Sequence, residues 1–203
     1  MSLASDQYRT LATASPESLF KDRGSKFYGY AFPVQSEEAI KQHLENLRAQ
    51  HHQARHWCYA WQLGTSHVQY RYNDDGEPSN SAGAPIYGQI QSFDLTDVLI
   101  VVVRYFGGTK LGVGGLINAY RAGAKLALEE AEIVIKTIKE QLHLSFDYPK
   151  MNVVMRLIKE EQLEIVAQKM ELKCHYTLAI PKSKIETLKQ RFESIYGVEV
   201  KKR

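Results

Sequence analysis

Hydrophobic and polar residues recur along the chain with periods that distinguish strands from helices. The clearest strand is the aliphatic run Val98–Val103, whose residues are apolar on both sides and therefore predict a central, buried strand. The clearest helix follows over 116–130. Its predicted apolar face consists of Leu116, Tyr120, Gly123, Ala124 and Ala127. Because most of these residues are small, we expect this helix to lie close to a sheet.

Weaker patterns predict the other elements of the first 135 residues. They are strands over 8–13, 26–32, 57–63 and 68–72, and helices over 36–50 and 86–93. Ser36 predicts the N-cap of the first helix, with two glutamates in its first turn. The stretch from Asn73 to Gly88 is rich in turn residues and predicts a functional loop or a linker.

The remainder of the chain predicts a small second domain. Its elements are a strand over 133–146, a helix over 150–159, strands over 164–169 and 173–180, a helix over 182–195 and a strand over 198–202. This β-α-β-β-α-β order is that of the ferredoxin-like split βαβ motif. The pattern thus predicts an α+β protein with domains at 1–135 and 136–203.

Composition is that of a globular protein able to bury a core, with 44% hydrophobic and 24% charged residues among 203. The longest apolar run is far shorter than the ~20 residues that cross a bilayer. Residues 1–7 lack the basic start and apolar core of a signal peptide. We therefore expect a cytoplasmic protein without a membrane partner.

Charge is unevenly distributed between the two predicted domains. The whole chain carries 26 Lys and Arg against 23 Asp and Glu, or +3. Residues 1–135 hold 12 against 14, or −2, whereas residues 136–203 hold 14 against 9, or +5, and end in Lys201, Lys202 and Arg203. This asymmetry is typical either of a protein that contacts nucleic acid or of a solvated lysine-rich helical face.

Cysteines and tyrosines indicate packing rather than chemistry. Cys58 and Cys174 are far apart and belong to no CxxC pair, so we expect two reduced, buried thiols and no zinc site. Many of the twelve tyrosines fall at strand periodicity, which favours sheet packing over a base-stacking platform. The clearest cases are Tyr28, Tyr30, Tyr70 and Tyr72. No metal or cofactor is predicted.

A glycine-rich segment between the buried strand and the long helix is the first candidate site. Glycine backbones allow close approach, so that successive N–H groups can point at an anion above the helix N-terminus. The candidate anion-binding residues are Arg104, Gly107, Gly108, Lys110, Gly112, Gly114, Gly115 and Arg121. The Walker and dinucleotide-binding glycine patterns are both absent. A tight strand–helix connection that needs glycine for packing is the equal alternative.

The acidic loop and the histidine before the third strand are a second candidate surface. Its residues are His56, Asp74, Asp75, Glu77, Ser79 and Ser81. The pattern favours an acidic turn with Asx-type hydrogen bonds, and a histidine satisfied by a backbone carbonyl. A Ser/His/Asp arrangement of His56 with Asp75 and either serine is the alternative. No catalytic residue is assigned.

Four segments, in this order, resemble one known family. They are Gly24-Ser25-Lys26-Phe27, Ala54-Arg55-His56-Trp57-Cys58-Tyr59-Ala60, Asn73-Asp74-Asp75-Gly76-Glu77-Pro78-Ser79 and Arg104 to Leu116, and they look like the IMPACT/YigZ family over residues 5–132. The tail is similar to the C-terminal domain of the bacterial members. The family motif usually continues Gly-Thr where this chain has Asn80-Ser81, so a role for that hydroxyl is not carried over.

The resemblance implies an N-terminal β/α sandwich of the ribosomal-protein-S5-domain-2-like fold and a C-terminal ferredoxin-like domain similar to the last domain of elongation factor G. Eukaryotic relatives regulate translation by contacts with other proteins. The family offers no established catalytic residues or cofactor to transfer.

Three functions remain open on the sequence. The first is a non-enzymatic protein linked to translation that contacts RNA, the ribosome or a translation-associated protein, without DNA specificity. The second is a small phosphate- or nucleotide-binding enzyme, kinase- or hydrolase-like, that uses the glycine-rich loop. The third is a protein–protein regulator in which that loop is only structural.

Overall fold

The apolar run Val98–Val103 lies at the centre of a five-stranded sheet, as predicted. The computed structural model describes residues 4–202, which divide into two compact units, Tyr8–Lys136 and residues 4–7 with 137–202. The prediction divided the chain after residue 135. In the structure the division falls after Lys136, and residues 4–7 group with the C-terminal unit because Asp6 hydrogen-bonds to Ile138 and Ser183.

The N-terminal unit contains seven strands and three helices within the described residues. They are β1 (Gln7–Leu11), β2 (Ser18–Asp22), β3 (Ser25–Pro33), α1 (Glu37–Gln50), β4 (His56–Leu63), β5 (Gln69–Asn73), α2 (Gly83–Ser92), β6 (Val98–Tyr105), α3 (Gly112–Glu129) and β7 (Ile133–Thr137). The five-stranded sheet has the order β2-β3-β6-β4-β5 and is antiparallel throughout. Strands β1 and β7 pair separately.

Helices cover both faces of this sheet, so that β6 is buried on both sides. Val98, Ile100 and Val102 pack into the core shared with α2 and α3. Leu99, Val101 and Val103 pack into the core shared with α1. Every residue of the run is fully inaccessible to solvent, which explains why its sequence shows no polar alternation.

Small residues bring α3 against the sheet, as its predicted apolar face indicated. The five residues of that face are all buried. A Cβ atom on Gly29 of β3 would lie 2.5 Å from the carbonyl oxygen of Gly123, and one on Gly123 would lie 3.3 Å from Val102 Cγ1. The helix backbone therefore lies nearly in contact with the strand.

Several element boundaries differ from the predictions. Helix α3 begins at Gly112 rather than 116, because the glycines form its first turn. Strand β2 was not predicted, and it forms by pairing with β3 rather than from a hydrophobic pattern. The predicted strand 133–146 is two strands separated at Ile138, whose N–H donates to Asp6 and whose carbonyl accepts from Lys182.

The C-terminal unit has the predicted β-α-β-β-α-β order. Its elements are β8 (Lys139–Phe146), α4 (Met151–Glu160), β9 (Glu164–Met170), β10 (Cys174–Pro181), α5 (Ile185–Glu193) and β11 (Val198–Lys202). The antiparallel sheet has the order β11-β8-β10-β9, and α4 and α5 pack on one of its faces. The α+β class, with an N-terminal sandwich and a second α+β unit, is confirmed.

Other predictions concern single residues. Cys58 and Cys174 are both buried and free, as expected. Tyr70 and Tyr72 pack against the ring of Tyr87, with centroids 4.6 and 6.0 Å away, but remain 56% and 40% exposed. Between residues 4 and 202, no helix is long and apolar enough to span a membrane. Residues 1–3 and Arg203 of the basic end lie outside the described residues.

A chain of hydrogen bonds runs through the α1 side of the sheet. The Tyr30 hydroxyl donates to the Glu17 carboxylate and accepts from His51 Nε2 at 2.5 Å, while His51 Nδ1 accepts from the Tyr105 hydroxyl at 3.0 Å. Since His51 is only 7% exposed, burial lowers its pKa, opposed by the charge of Glu17. The imidazole is therefore held neutral in the folded protein.

This burial makes stability depend on pH. Because the pKa of His51 is lower in the folded than in the unfolded state, we expect the free energy of unfolding to fall as pH drops from about 7.5 to about 5.5, through the unperturbed value. His51→Gln should be less stable at the higher pH but lose less on acidification. Urea unfolding followed by the fluorescence of Trp57 and Trp61, which both lie in this unit, measures this. Equal pH slopes for the two proteins would contradict it.

Candidate functional site

The glycine-rich segment, the acidic loop and the segment around His56 meet at one end of the N-terminal sheet. His56 at the start of β4 is the cross-strand partner of Arg104 in β6, and Lys26 at the start of β3 is the partner of Tyr105. The loop between β5 and α2 lies against His56 through the backbone of Asp75. Residues far apart in sequence therefore share this end of the sheet.

A buried ion pair lies at the centre of this region. Arg104 is 6% exposed, and its Nη1 donates to Glu77 Oε1 at 2.6 Å. The Tyr120 hydroxyl of α3 donates to the same oxygen at 2.7 Å, and the Glu77 side chain is only 4% exposed. The guanidinium also lies over the rings of Phe27 and Phe106, 5.6 and 5.7 Å from their centroids.

These contacts change the interpretation of Arg104. The sequence placed it among the cations that hold an external anion, but its charge is already balanced by Glu77 inside the protein. Displacing Glu77 would leave a buried carboxylate without its main partner, which is costly. We therefore assign Arg104 to the internal network and remove it from the anion-binding set.

The His56 side chain hydrogen-bonds to a backbone carbonyl, which is the arrangement that the sequence favoured. Its Nδ1 donates to the carbonyl oxygen of Asp75 at 2.9 Å, and its Nε2 lies 4.0 Å from Glu77 Oε1. Neither Ser79 nor Ser81 hydrogen-bonds to it within residues 4–202; Ser79 is exposed, and the buried Ser81 hydroxyl has no partner. The structure therefore does not form the Ser/His/Asp alternative.

The acidic loop is an internal scaffold. Asp74 Oδ1 accepts from the N–H groups of Ala82 and Gly83 at 2.9 and 2.8 Å, which caps the N-terminus of α2. Asp75 accepts from the N–H of Trp57 at 2.7 Å and pairs with Arg48 at 3.0 Å. An Asx-type bond joins Asn73 to Asp75, as predicted. In the part of the chain that the structure describes, no cluster of three or more potential ligands could hold a metal ion.

Two residues of this network were missed in the sequence. Tyr120 was identified only as part of an apolar helix face, and Cys58 only as a buried thiol. Burial, as the largest cause, raises the pKa of both groups. The Cys58 Sγ donates to the carbonyl oxygen of Asp74 at 3.0 Å, so the thiol is a hydrogen-bond donor rather than a nucleophile. For Tyr120, the only signal in the sequence was a tyrosine among small residues on the predicted apolar face of a helix.

The glycines of the glycine-rich segment fall into packed and open positions. Gly107 is a packing residue, since an added Cβ would lie 1.9 Å from the Gly24 backbone and its N–H donates to Ser25 Oγ at 3.1 Å. Gly115 is also tight, because its Cβ would lie 3.0 Å from Leu111. By contrast, Gly108, Gly112 and Gly114 are exposed, and an added Cβ would meet nothing within 4 Å.

An exposed surface with apolar and basic side chains surrounds these open glycines. We define the glycine face as Phe106, Gly108, Lys110, Gly112, Val113 and Gly114. Phe106 and Val113 are 48% and 53% exposed, and Lys110 is exposed. The residue at the N-cap of α3, Leu111, makes no side-chain capping bond. Arg121 is exposed farther along α3 and donates to Asn118.

Further cations lie at the same end of the sheet. They are Lys21, Arg23, Lys26 and Arg55, all of them exposed. Among residues 4–202, neither these four nor Lys110 form an ion pair. Among the nearby carboxylates, Asp74, Asp75 and Glu77 are occupied by backbone amides or arginines, and Asp22 lies between Lys21 and Arg23 in the β2–β3 hairpin, so the exposed cations outnumber it. This end of the unit is therefore positive at its surface although the unit as a whole is not.

The buried ion pair predicts a non-additive response to substitution. Glu77→Met or Arg104→Met alone should lower the free energy of unfolding by ~3–5 kcal/mol, because each leaves a charged partner buried. The double variant Glu77→Met with Arg104→Met should be more stable than either single variant. Urea unfolding followed by tryptophan fluorescence measures this, and a loss equal to the sum of the single losses would disprove it.

Comparisons with known proteins agree on one family. A family model described as Impact N-terminal domain matches residues 23–128. A relative from Haemophilus influenzae named IMPACT family member is 35% identical over 164 residues, covering 80% of each chain. IMPACT family member YigZ from Escherichia coli is 31% identical over 178 residues, covering 86% of this chain and 87% of its own.

Solved structures resemble the chain as well. One described as the crystal structure of an hypothetical protein covers 97% of both chains with 26% identity and a TM-score of 0.75. Another, titled as the two-domain translational regulator Yih1, covers 64% of this chain and 49% of its own, with 24% identity and a TM-score of only 0.38. The family match and the curated relatives decide the assignment: this chain belongs to the IMPACT family.

Proposed function

We propose that this protein is a non-enzymatic RNA-binding protein linked to translation, and that its glycine face contacts the RNA backbone. The observation that carries the proposal is Gly114, a glycine in the first turn of α3 that the fold does not need. The link to translation rests on membership of the IMPACT family, because the resemblance to this family implies that its eukaryotic members regulate translation.

Gly114 is informative because glycine has a cost in a helix. It is exposed, its φ is not in the left-handed region, and an added Cβ would meet nothing within 4 Å. Relative to alanine, glycine inside a helix lowers the free energy of unfolding by ~0.5–1 kcal/mol. Gly114 weakens the helix and has no packing role. Its presence therefore supports a ligand that approaches the backbone closely at this position.

The surroundings of Gly114 suit a phosphate group. The first N–H groups of a helix have no intrahelical partner, and the N-cap residue of α3, Leu111, makes no side-chain capping bond to them. These N–H groups and the helix dipole attract anions, and Lys110 adds a full positive charge next to them. The unpaired cations at the same end of the sheet extend the positive surface along which a phosphate backbone could run.

Phe106 favours single-stranded RNA over a small anion. Its ring is 48% exposed next to the glycine face, and its other side lies near the Arg104 guanidinium. Exposed aromatic rings beside cations are typical of single-strand binding, where each stacked base contributes ~1–3 kcal/mol. The basic C-terminal part of the chain, with a charge of +5 over residues 136–203, would add long-range attraction.

The enzyme hypothesis loses support from the same geometry. It required Arg104 and Lys110 to hold a phosphate together, with Asp75, Glu77 or His56 as acid, base or metal ligand. Arg104 and Glu77 pair with each other, and Asp75 is occupied by Arg48 and the Trp57 N–H. His56 donates to the Asp75 carbonyl oxygen, and Lys110 is the exposed residue of that set that forms no ion pair among residues 4–202.

Alanine at Gly114 should separate stability from binding. Gly114→Ala should raise the free energy of unfolding by up to ~1 kcal/mol and weaken RNA binding at least about fivefold, because the new methyl group keeps phosphates away from the backbone. Gly88→Ala is the matched control, since Gly88 is also helical and its Cβ would also meet nothing within 4 Å. It should stabilise the fold similarly and leave binding unchanged. Fluorescence anisotropy with a short labelled single-stranded RNA measures affinity.

Phe106 and Lys110 should contribute in different ways. Phe106→Ala should weaken binding by ~1–3 kcal/mol at every salt concentration, since stacking is not ionic. Lys110→Ala should reduce the slope of log affinity against log salt by about one ion. Lys125→Ala is the control, because Lys125 lies farther along α3 and pairs with Glu129 at 3.4 Å. RNA affinity that is independent of salt, or unchanged in all these variants, would refute the proposed contact.

A further inference from the structure

The face of the C-terminal sheet opposite its helices is polar. The strand registers place Lys169, His175, Ser145 and Glu199 in one row across β9, β10, β8 and β11. The next row consists of Ala167, Thr177, His143 and Lys201. We call these two rows the outer face. The alternate residues of the same strands, such as Leu144 and Tyr176, pack into the core under α4 and α5.

A cavity lies in the middle of the outer face. It has a volume of about 260 Å³, and its polar lining residues are His143, Ser145, His175, Thr177, Glu199 and Lys201. Small-molecule sites typically span roughly 300–1,000 Å³. This cavity is therefore slightly smaller than that range and suits a phosphate with its attached sugar better than a dinucleotide.

One polar atom of the cavity lining has no partner. His143 Nδ1 lies 3.0 Å from the Thr177 hydroxyl, while His143 Nε2 is buried and makes no hydrogen bond within the described residues. A buried polar nitrogen without a partner costs stability, so its retention calls for an explanation such as a ligand. When the Thr177 hydroxyl donates to Nδ1, the proton of the neutral ring is on Nε2, which is then a free donor.

The charges around the cavity favour an anion. Glu199 is the carboxylate of the lining, and Lys173 already pairs with it at 3.0 Å. Lys201 is exposed and, among residues 4–202, has no carboxylate partner. The Lys201 ammonium thus remains available next to two hydroxyls and an unpaired imidazole. Hydroxyl, imidazole N–H and ammonium groups are all donors to phosphate oxygens.

We propose that the outer face binds a phosphate group in this cavity. Lys201 supplies the charge, His143 Nε2–H and the Ser145 hydroxyl donate hydrogen bonds, and Thr177 holds the imidazole in the required tautomer. The phosphate belongs either to a phosphate monoester, such as a nucleoside 5′-monophosphate, or to an RNA backbone. This site is independent of the glycine face, which lies in the other unit, and the two can fail separately.

The test compares two adjacent lysines. Orthophosphate and a nucleoside 5′-monophosphate are titrated into the ¹⁵N-labelled full chain, and backbone amide shifts are followed by NMR. We expect saturable shifts at Ser145, Thr177 and Lys201. Lys201→Ala should weaken binding about tenfold, because one charge-assisted contact is lost. Lys202→Ala removes the same charge but lies in the alternate register and pairs with Glu140 and Glu186, so it should change affinity less than about twofold.

A second variant tests the role of the imidazole. Thr177→Val preserves the shape of the side chain and removes the hydroxyl bonded to His143, so it should also weaken phosphate binding while the other amide shifts of the unit report an intact fold. A dinucleoside monophosphate without a terminal phosphate distinguishes the two sources. Binding of this compound indicates an RNA backbone, and its failure beside a bound 5′-monophosphate indicates a monoester.

Two results would overturn the proposed site. One is the absence of saturable shifts at Ser145, Thr177 and Lys201 with every phosphate compound. The other is an equal loss of affinity in Lys201→Ala and Lys202→Ala, which would mean that the basic end attracts anions without a defined site. Loss of RNA binding in Gly114→Ala with intact phosphate shifts here would support both proposed sites as separate.

Discussion

The buried pair of Arg104 and Glu77 is the interaction on which the N-terminal unit depends. It joins β6 to the loop before α2, and Tyr120 adds α3 to the same carboxylate oxygen. Because both charges are shielded from water, neither can lose its partner without a large cost. The loop is thus held against the end of the sheet, where Asp74 caps α2 and Asp75 bonds to β4.

This constraint divides the polar residues of the site between interior and surface. Inside, each carboxylate is matched by an arginine or by backbone amides. Outside, Lys110 and its neighbouring cations remain unpaired among the residues that the structure describes. The glycines divide in the same way, since Gly107 is packed against Gly24 while Gly114 faces open space. A rigid interior therefore supports an exposed, positive surface, and the anionic partner that we propose could bind there without reorganisation of the site.

Much of the fold could be predicted, but the roles of the site residues could not. The buried strand β6, the helix face of α3 and the N-cap at Ser36 follow from periodicity and capping rules, and the structure has all three. The sequence singled out Arg104, His56 and Glu77, but it did not connect Tyr120 or Cys58 with them. Arg104 was nevertheless interpreted as a surface cation, because a lone arginine beside glycines has the same pattern whether its charge is free or paired.

The sequence alone determined most of the elements and their order, because hydrophobic spacing and capping act between residues within one turn or one strand, whereas β2 depends on its pairing with β3. Tertiary structure alone decided which charges are neutralised. Arg104 and Glu77 are 27 residues apart, and the amides that Asp74 caps follow it by eight and nine residues. No local pattern encodes such pairs, since their energy depends on burial and on distances that only the folded chain establishes.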